Sequence, residues 1–458
     1  MNFRGSYQVI VVGGGPAGIA AACSASVRGA KTLIVERYGF LGGMWTAAHV
    51  SPFMTTHFKN EVVNEGLLMD LIRRLKDVKG AIGPLRCPYP GNTTYGTGGH
   101  VTIFDGEKMR TVLFEMLENY GVDLLLHSFF TDIVMSGSSV EGIVVANKSG
   151  KEIILGDVVI DATGDADVAY AAGVPYRKGD ENGKTQPMSL LFYIGGVDVS
   201  KVIEYVLNHK EDFAWITVPQ ITEEIPDCLQ QKHIAFSGYY SLVENGKKSG
   251  ELYLGRNRIT VFTGILPGQV TMNATRIINL DGTNVDHLTR AEIDTRKQAV
   301  SLSAYMKRYA PGFENSFILS TPSQVGVRET RQIEGLVTIE KEDIVNGTDF
   351  PDTIAKGAFP VDIHQPDGGG NIWEEIKKPY SIPYRALIPR NVNGLIVAGR
   401  CISASHDAMA GLRVTPICFS IGEAAGTAAA HAAHAKVEPR SVDIEELKVD
   451  LKEHGAII

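Results

Sequence analysis

The sequence predicts an α/β fold on three features. Gln8–Val12 (QVIVV) is an apolar run that enters a glycine turn and continues into the alanine-rich helix Pro16–Arg28. Lys31–Glu36 (KTLIVE) is a second apolar run, so strand, helix and strand fit within the roughly 30 residues of a βαβ unit. Near the other end, Asn393–Ala398 (NGLIVA) precedes a second alanine-rich helix, Thr415–Ala435. Together they describe a Rossmann-like domain assembled from both ends of the chain, with an α+β cap inserted between them. The expected boundaries are 1–180 and 321–458 for the two parts of that domain and 181–320 for the cap.

Each element has a local reason. Strands of a parallel sheet are covered on both faces and therefore read as unbroken Val/Ile runs. Gly29 supplies the natural stop of the first helix. Residues 44–104 are rich in Gly, Pro, Thr and aromatics and read as an irregular insertion. Asp105–Tyr120 is an amphipathic helix with Met109, Leu113 and Met116 on one face. Strand-like stretches follow at Leu124–His127, Asp132–Val134, Gly142–Ala146 and Asp157–Asp161, the last running into the turn Ala162-Thr163-Gly164. Between 181 and 320, polar turns alternate with aromatic strands and with helices such as Arg290–Tyr309. Pro416 suits the first turn of the last long helix.

Composition narrows the function classes. The chain has 44% hydrophobic and 21% charged residues, ordinary values for a soluble protein. A net charge of −8 argues against a broad nucleic-acid footprint. Cys23, Cys87, Cys228, Cys401 and Cys418 form no CxxC pair, which speaks against zinc and against a redox disulfide motif. Their odd number suggests reduced thiols in a cytoplasmic protein. Tyr7–Ser26 is the one stretch with the look of a signal peptide or membrane span; its glycines and the strand that follows oppose both. Sequons at Asn92, Asn147, Asn273 and Asn346 read as chance matches, and no metal site is expected.

Val11-Val12-Gly13-Gly14-Gly15-Pro16-Ala17-Gly18 is a GxGxxG at a strand-to-helix turn. Gly13 permits the tight turn, Gly15 lets a diphosphate approach the backbone, and Gly18 lets helix and strand pack closely. The phosphate charge is then met by free N–H groups and the positive helix end. Glu36 closes the second strand, where its carboxylate can accept ribose hydroxyls and would repel a 2′-phosphate. These residues indicate a dinucleotide without saying which one.

Four further runs carry a resemblance. Glu36-Arg37-Tyr38-Gly39-Phe40-Leu41-Gly42-Gly43 resembles the "E-R, then L-G-G" segment of FAD-dependent oxidoreductases, and Asp161-Ala162-Thr163-Gly164-Asp165 resembles their A-T-G-D turn. Gly394 to Ser403 (GLIVAGRCIS) resembles their C-terminal flavin segment. Val325 to Arg331 (VGVRETR) resembles a stretch in the branch distantly akin to fumarate reductases and succinate dehydrogenases. The resemblance implies FAD, a glutathione-reductase-like FAD domain and two-electron chemistry. It implies that Gly13, Gly15, Gly18, Gly42 and Gly43, with Pro16 and Ala17, lie along the diphosphate. Glu36 and Arg37 would hold the AMP ribose, the backbone near Phe130 would border the adenine, and Gly164 and Asp165 would close the nucleotide side. Gly399 and Arg400 would approach the diphosphate and ribityl chain. Many relatives carry Gly-Asp there, so Arg400 leaves the ribityl partner open and offers a cation for phosphate instead.

The flavin ring is expected past Gly43, beside Met44, Trp45, Thr46 and His49, and near Arg413 and Val414 at the start of the last helix. That helix end can stabilise negative charge on the reduced ring. Trp45 reads equally as core. His49 reads as a base, a covalent flavin attachment or a satisfied buried histidine. His406, Asp407 and Arg413 form a polar cluster on a loop, with His406 as acid or base beside a carboxylate and Arg413 as a clamp for a carboxylate substrate or for reduced flavin. Arg328 and Arg331 would share one face if helical, and could bind an anionic substrate or FAD phosphate. His431 and His434 have the same spacing on a solvated helix. The expectation is a dehydrogenase or reductase acting on a small molecule. A flavin monooxygenase and a flavin-binding electron-transfer subunit stand as alternatives, and the acidic balance opposes a flavoprotein acting on RNA. No second GxGxxG follows residue 18, so the electron donor or acceptor is open: a second substrate, oxygen or a partner protein. No membrane span is expected, and self-association is left open.

Overall fold

A computed structural model describes residues 2–87, 99–217, 232–366, 368 and 370–458. The sequon at Asn92 and the thiol of Cys228 lie outside the described residues. Five parallel strands make the centre of the larger sheet: Asp123–Leu125, Thr32–Val35, Asn2–Val12, Gly150–Asp161 and Leu395–Val397. Ser139–Asn147 and Phe129–Ser136 extend it as antiparallel strands. The last strand, 395–397, pairs with the carboxyl half of Gly150–Asp161, so the two chain ends build one sheet. Because these five strands run the same way, Val12, Val35, Asp161 and Val397 all finish on one edge, where ligands bind in open α/β sheets.

Helix Pro16–Val27 packs against helix Thr415–Ala435 with backbone nearly touching backbone. A side chain on Gly422 would run into Ala17, and one on Gly426 into Ala21. Ser24 and Thr427 join hydroxyls across the contact at 2.8 Å. The expected helix Asp105–Tyr120 runs from Gly106 to Asn119, capped by the Asp105 carboxylate, with Met109, Leu113 and Met116 buried.

A second, antiparallel sheet of six strands lies wholly within 192–320, in the order 213–216, 235–238, 259–263, 270–273, 192–195, 317–320. Helices Val199–Asn208, Tyr240–Ser249 and Val285–Tyr309 cover it, and together they enclose a core of their own around Phe192, Phe236, Tyr239 and Phe313.

Two local expectations are corrected. Within 44–104 the structure has a short helix, Met44–Ala47, and an eleven-residue helix, Leu67–Asp77, whose Leu68, Leu71, Ile72 and Leu75 are buried. The polar stretch around His406 is helical from His406 to Leu412, because the Ser405 hydroxyl accepts from the Ala408 N–H and starts the helix. Among the described residues no helix is long and apolar enough to cross a membrane.

Candidate active site

A cavity opens at the carboxyl edge of the parallel strands. Gly13, Gly15, Pro16 and Ala17 form its floor, Glu36 and Arg37 one end, and Arg413 and Thr415 the other. Gly13 has φ +107°, and a Cβ there would meet the Ala162 carbonyl oxygen at 2.5 Å, so the turn itself demands glycine. Gly18 is off the cavity wall; a Cβ on it would strike the Gly13 carbonyl, which is the close helix–strand packing expected of the third glycine.

Gly15 is different in kind. Its φ of −81° suits any residue, and a Cβ would meet no protein atom nearer than Gly43 Cα at 3.7 Å. The fold leaves room for a side chain there, and what keeps the position bare is whatever occupies the cavity. Gly15 is also the N-cap of the first helix, with no side chain capping it and no acid in the first turn. Free N–H groups at a positive helix end, over a floor without side chains, fit a diphosphate.

Glu36 is buried, with one carboxylate oxygen accepting from Gly14 N at 2.6 Å and the other from Tyr38 N at 2.9 Å. Burial raises its pKa against those hydrogen bonds. Phe130 also lies on the cavity wall, with Ser128 and Phe129. Tyr38 and Gln324 also line this end and were not foreseen: the Gln324 carbonyl accepts from the Arg37 guanidinium at 2.7 Å and from the Tyr38 hydroxyl. Gln324 is far off in sequence and carries no motif, so only folding reveals it.

Gly164 and Gly399, both with positive φ, border the middle of the cavity. Arg400 lies beside them, buried, and donates to Asp165 at 2.6 Å. Asp165 is thus set behind Arg400, off the wall, and Asp167 takes the place on it. Gly42 sits one shell back as well, with φ +109° and Thr46 filling the space a side chain would need. Gly43 and Met44 reach the wall; Val414 does not, although its neighbours Arg413 and Thr415 do. Helix Thr415–Ala435 has no side-chain cap at Val414, so its N–H groups are free at this end. Cys418, one turn in, also lines the cavity, and burial pushes its thiol up to about 12.

Trp45 and His49 lie off the cavity wall, a correction to the expected ring contacts. Trp45 is fully buried against Phe53, Phe104 and Phe419. His49 stacks on Tyr193 with ring centroids 4.3 Å apart and faces a second cavity with Thr46 and Asp105. Burial and then Arg110 bring its pKa down to about 4.

His406 has a different partner from the one expected. Its Nδ1 lies 2.8 Å from Glu329 Oε1, not on the adjacent Asp407, which the helix turns aside. Glu329 is buried, and its other oxygen accepts from Gln186 N at 2.9 Å. Burial works to lower the His406 pKa, but the hydrogen bond and charge of Glu329 outweigh it and raise the pKa above the ordinary value. Glu329 was visible only as an acid inside VGVRETR.

Arg328 and Arg331 do not share a face. Residues Arg331–Ile333 form a strand against Tyr176–Lys178, and residues three apart on an extended chain point to opposite sides. Arg328 donates to Pro187 O at 2.6 Å and Ser189 Oγ at 2.7 Å; Arg331 turns to Asp165 O and to Asp167. Arg413 donates to Asp362 O at 3.1 Å, with the Asp362 carboxylate 3.7 Å away. His431 and His434 are tied to Asp450 and to Arg28 O.

Among solved structures the chain aligns with a geranylgeranyl bacteriochlorophyll reductase-like protein from Thermoplasma acidophilum at 14% identity and a TM-score of 0.47, covering 98% of this chain and 83% of that one. It aligns with a p-nitrophenol 4-monooxygenase from Pseudomonas putida at 14% identity and a TM-score of 0.48, covering 99% and 84%. A flavin-dependent brominase variant gives 14% identity and a TM-score of 0.49, over 98% and 84%. Likeness this distant says nothing about the reaction. No curated protein matches the sequence. A family model described as FAD dependent oxidoreductase matches residues 8–451. With a cavity that fits a dinucleotide diphosphate and a family match over nearly the whole chain, the protein belongs to the FAD dependent oxidoreductase family and is an enzyme that binds FAD.

Proposed function

We propose that the enzyme is a dehydrogenase or reductase that moves a hydride between a small organic substrate and FAD. The reading takes residues 1–180 and 321–458 as a glutathione-reductase-like FAD domain and 181–320 as the inserted substrate lobe. When bound, FAD supplies the two-electron chemistry at its ring nitrogen N5. The Gly13–Gly15 floor and the first helix end hold the diphosphate, Glu36 the ribose, and Arg400 adds a cation for phosphate. The uncapped N-terminus of helix Thr415–Ala435 would favour negative charge on the reduced ring.

The observation that carries this reading is the seven-residue helix His406–Leu412, which has an acid–base group at one end, set back from the cofactor cavity wall, and Arg413, on that wall, just past the other. Glu329 fixes Nδ1 of His406, which leaves Nε2 to hold or release the substrate proton. Burial opposes the charge on the ring, but the hydrogen bond and charge of Glu329 raise its pKa and favour the protonated form that a proton donor uses. His49 is the weaker candidate because it is neutral, stacked and turned to another cavity. The electrons are exchanged with a second substrate, oxygen or a partner protein.

His406→Ala should keep its FAD and lose roughly 10²–10⁴-fold in kcat. A substrate found by anaerobic flavin bleaching provides the assay. An unchanged rate and pH profile would make His406 structural, and product hydroxylated only in the presence of oxygen would replace hydride transfer with monooxygenation.

A further inference from the structure

Behind Arg413 lies a group of charges that the FAD site does not use. Arg256 and Arg276 come from the antiparallel-sheet lobe, Arg328 from the segment that returns from it, and Arg413 from the cofactor side; Arg256 and Arg276 are buried. Arg276 donates to His364 Nδ1 at 2.8 Å and to Asn371 Oδ1 at 2.9 Å. His364 Nε2 is 3.2 Å from Asp362, and Asn371 donates to the same carboxylate at 3.0 Å. Arg256 donates to Asn273 through its backbone and side-chain oxygens. Apart from Asp362, the acceptors these arginines use are neutral.

Among the described residues, Asp362 is the one carboxylate within ion-pair distance of any of these four guanidinium groups, 3.7 Å from Arg413. Burial, and then Arg413, Arg276 and Arg256, hold the Arg328 pKa well below its usual value, so these cations lie within electrostatic reach of one another. Arg258 adds to the excess rather than relieving it. Burial opposes the charge on Asp362, yet His364, Arg413 and Arg328 keep its carboxyl well below the usual range; it is charged and already fully engaged. His364, buried among the arginines, is held neutral. Glu329, the other acid near Arg413, is bound to His406. Nε of Arg276, Nε of Arg413 and Nε2 of Gln186 are buried N–H groups with no acceptor among the described residues. Arginine stays protonated in proteins, and a buried cation without a counter-charge is costly, so the surplus among the described residues favours added negative charge at this place.

We infer that the substrate is a small polyanion, an organic compound with two or more carboxylate or phosphate groups, gripped by Arg256, Arg276, Arg328 and Arg413. The guanidinium fork matches both oxyanions, and Arg413, shared between the cluster and the cofactor cavity, ties the bound anion to the ring. The inference rests on the hydride-transfer reading of the same site.

The test uses FAD-loaded protein, with flavin content measured first. Tricarballylate, inorganic pyrophosphate and the neutral succinamide are titrated, following the melting temperature and the flavin absorbance. A polyanion should raise the first and perturb the second, while succinamide does neither; response to tricarballylate alone marks a carboxylate site, and to pyrophosphate alone a phosphate site. Arg276→Gln and Arg328→Gln should each weaken binding by roughly tenfold or more, with FAD content unchanged and the ligand-free melting temperature unchanged or raised, since each removes a repelling cation. Arg276→Lys, which keeps the charge and loses the fork, should fall between wild type and Arg276→Gln. FAD-loaded wild type that binds neither polyanion would overturn the inference, as would glutamine variants that melt earlier but bind as before. Protein unable to hold FAD would sink the underlying reading instead.

Discussion

Gly15 is the residue whose identity speaks most directly of the ligand. Gly13 and Gly18 are needed by the fold, one for its left-handed backbone and the other for a contact with no room for Cβ. Gly15 has neither constraint. Gly15→Val should therefore fold, with a loss of about 1 kcal/mol from a poorer N-cap, while its flavin absorbance disappears. A variant with normal circular dichroism and full FAD content would refute the diphosphate assignment. The place of Gly18 was legible in the sequence because its contact with Gly13 spans a few residues of local chain, whereas the Ala162 carbonyl that crowds Gly13 comes from far along it. The partner of His406 was not legible: Glu329 is 77 positions away, and the neighbouring Asp407 was the natural guess until a helix turned it aside. The same holds for the arginine cluster, whose members lie at 256, 276, 328 and 413 and show no common spacing.

At the scale of elements, helix Thr415–Ala435 matched its expected limits because alanine content and Pro416 mark it locally. Helix Leu67–Asp77 was missed although its apolar residues repeat at helical spacing, because the glycines and prolines around it masked the pattern. The two helices meet at Glu423, whose carboxylate accepts from the Leu67 N–H at 3.3 Å and is pushed up to about 7 by burial. A carboxyl with a raised pKa in the folded state favours folding while protonated; that contribution is full below its ordinary 4.5 and is lost as pH rises through about 7. The melting temperature should thus fall between about pH 5 and pH 8, and Glu423→Gln should flatten the decline. Asp161, raised to about 6 by burial, contributes in the same direction at lower pH. An equally steep decline in Glu423→Gln would show that the charge there is tolerated.

At the scale of the whole molecule, the joining of both chain ends in one parallel sheet was readable. What the middle sheet does was not, since 181–320 carries no motif. With His49 turned to another cavity, no described histidine stands on the cofactor cavity wall to attach the flavin covalently. Acid denaturation followed by filtration should accordingly release all the FAD; colour retained on the chain would reverse that. The pairing of Leu395–Val397 with Gly150–Asp161, and of the first helix with the last long one, has a consequence for synthesis. The glycine floor is translated long before the strand and helix that pack against it. A nascent chain must therefore carry an open, apolar first helix until Leu395–Val397 and Thr415–Ala435 have emerged, and completion of the cavity waits for them.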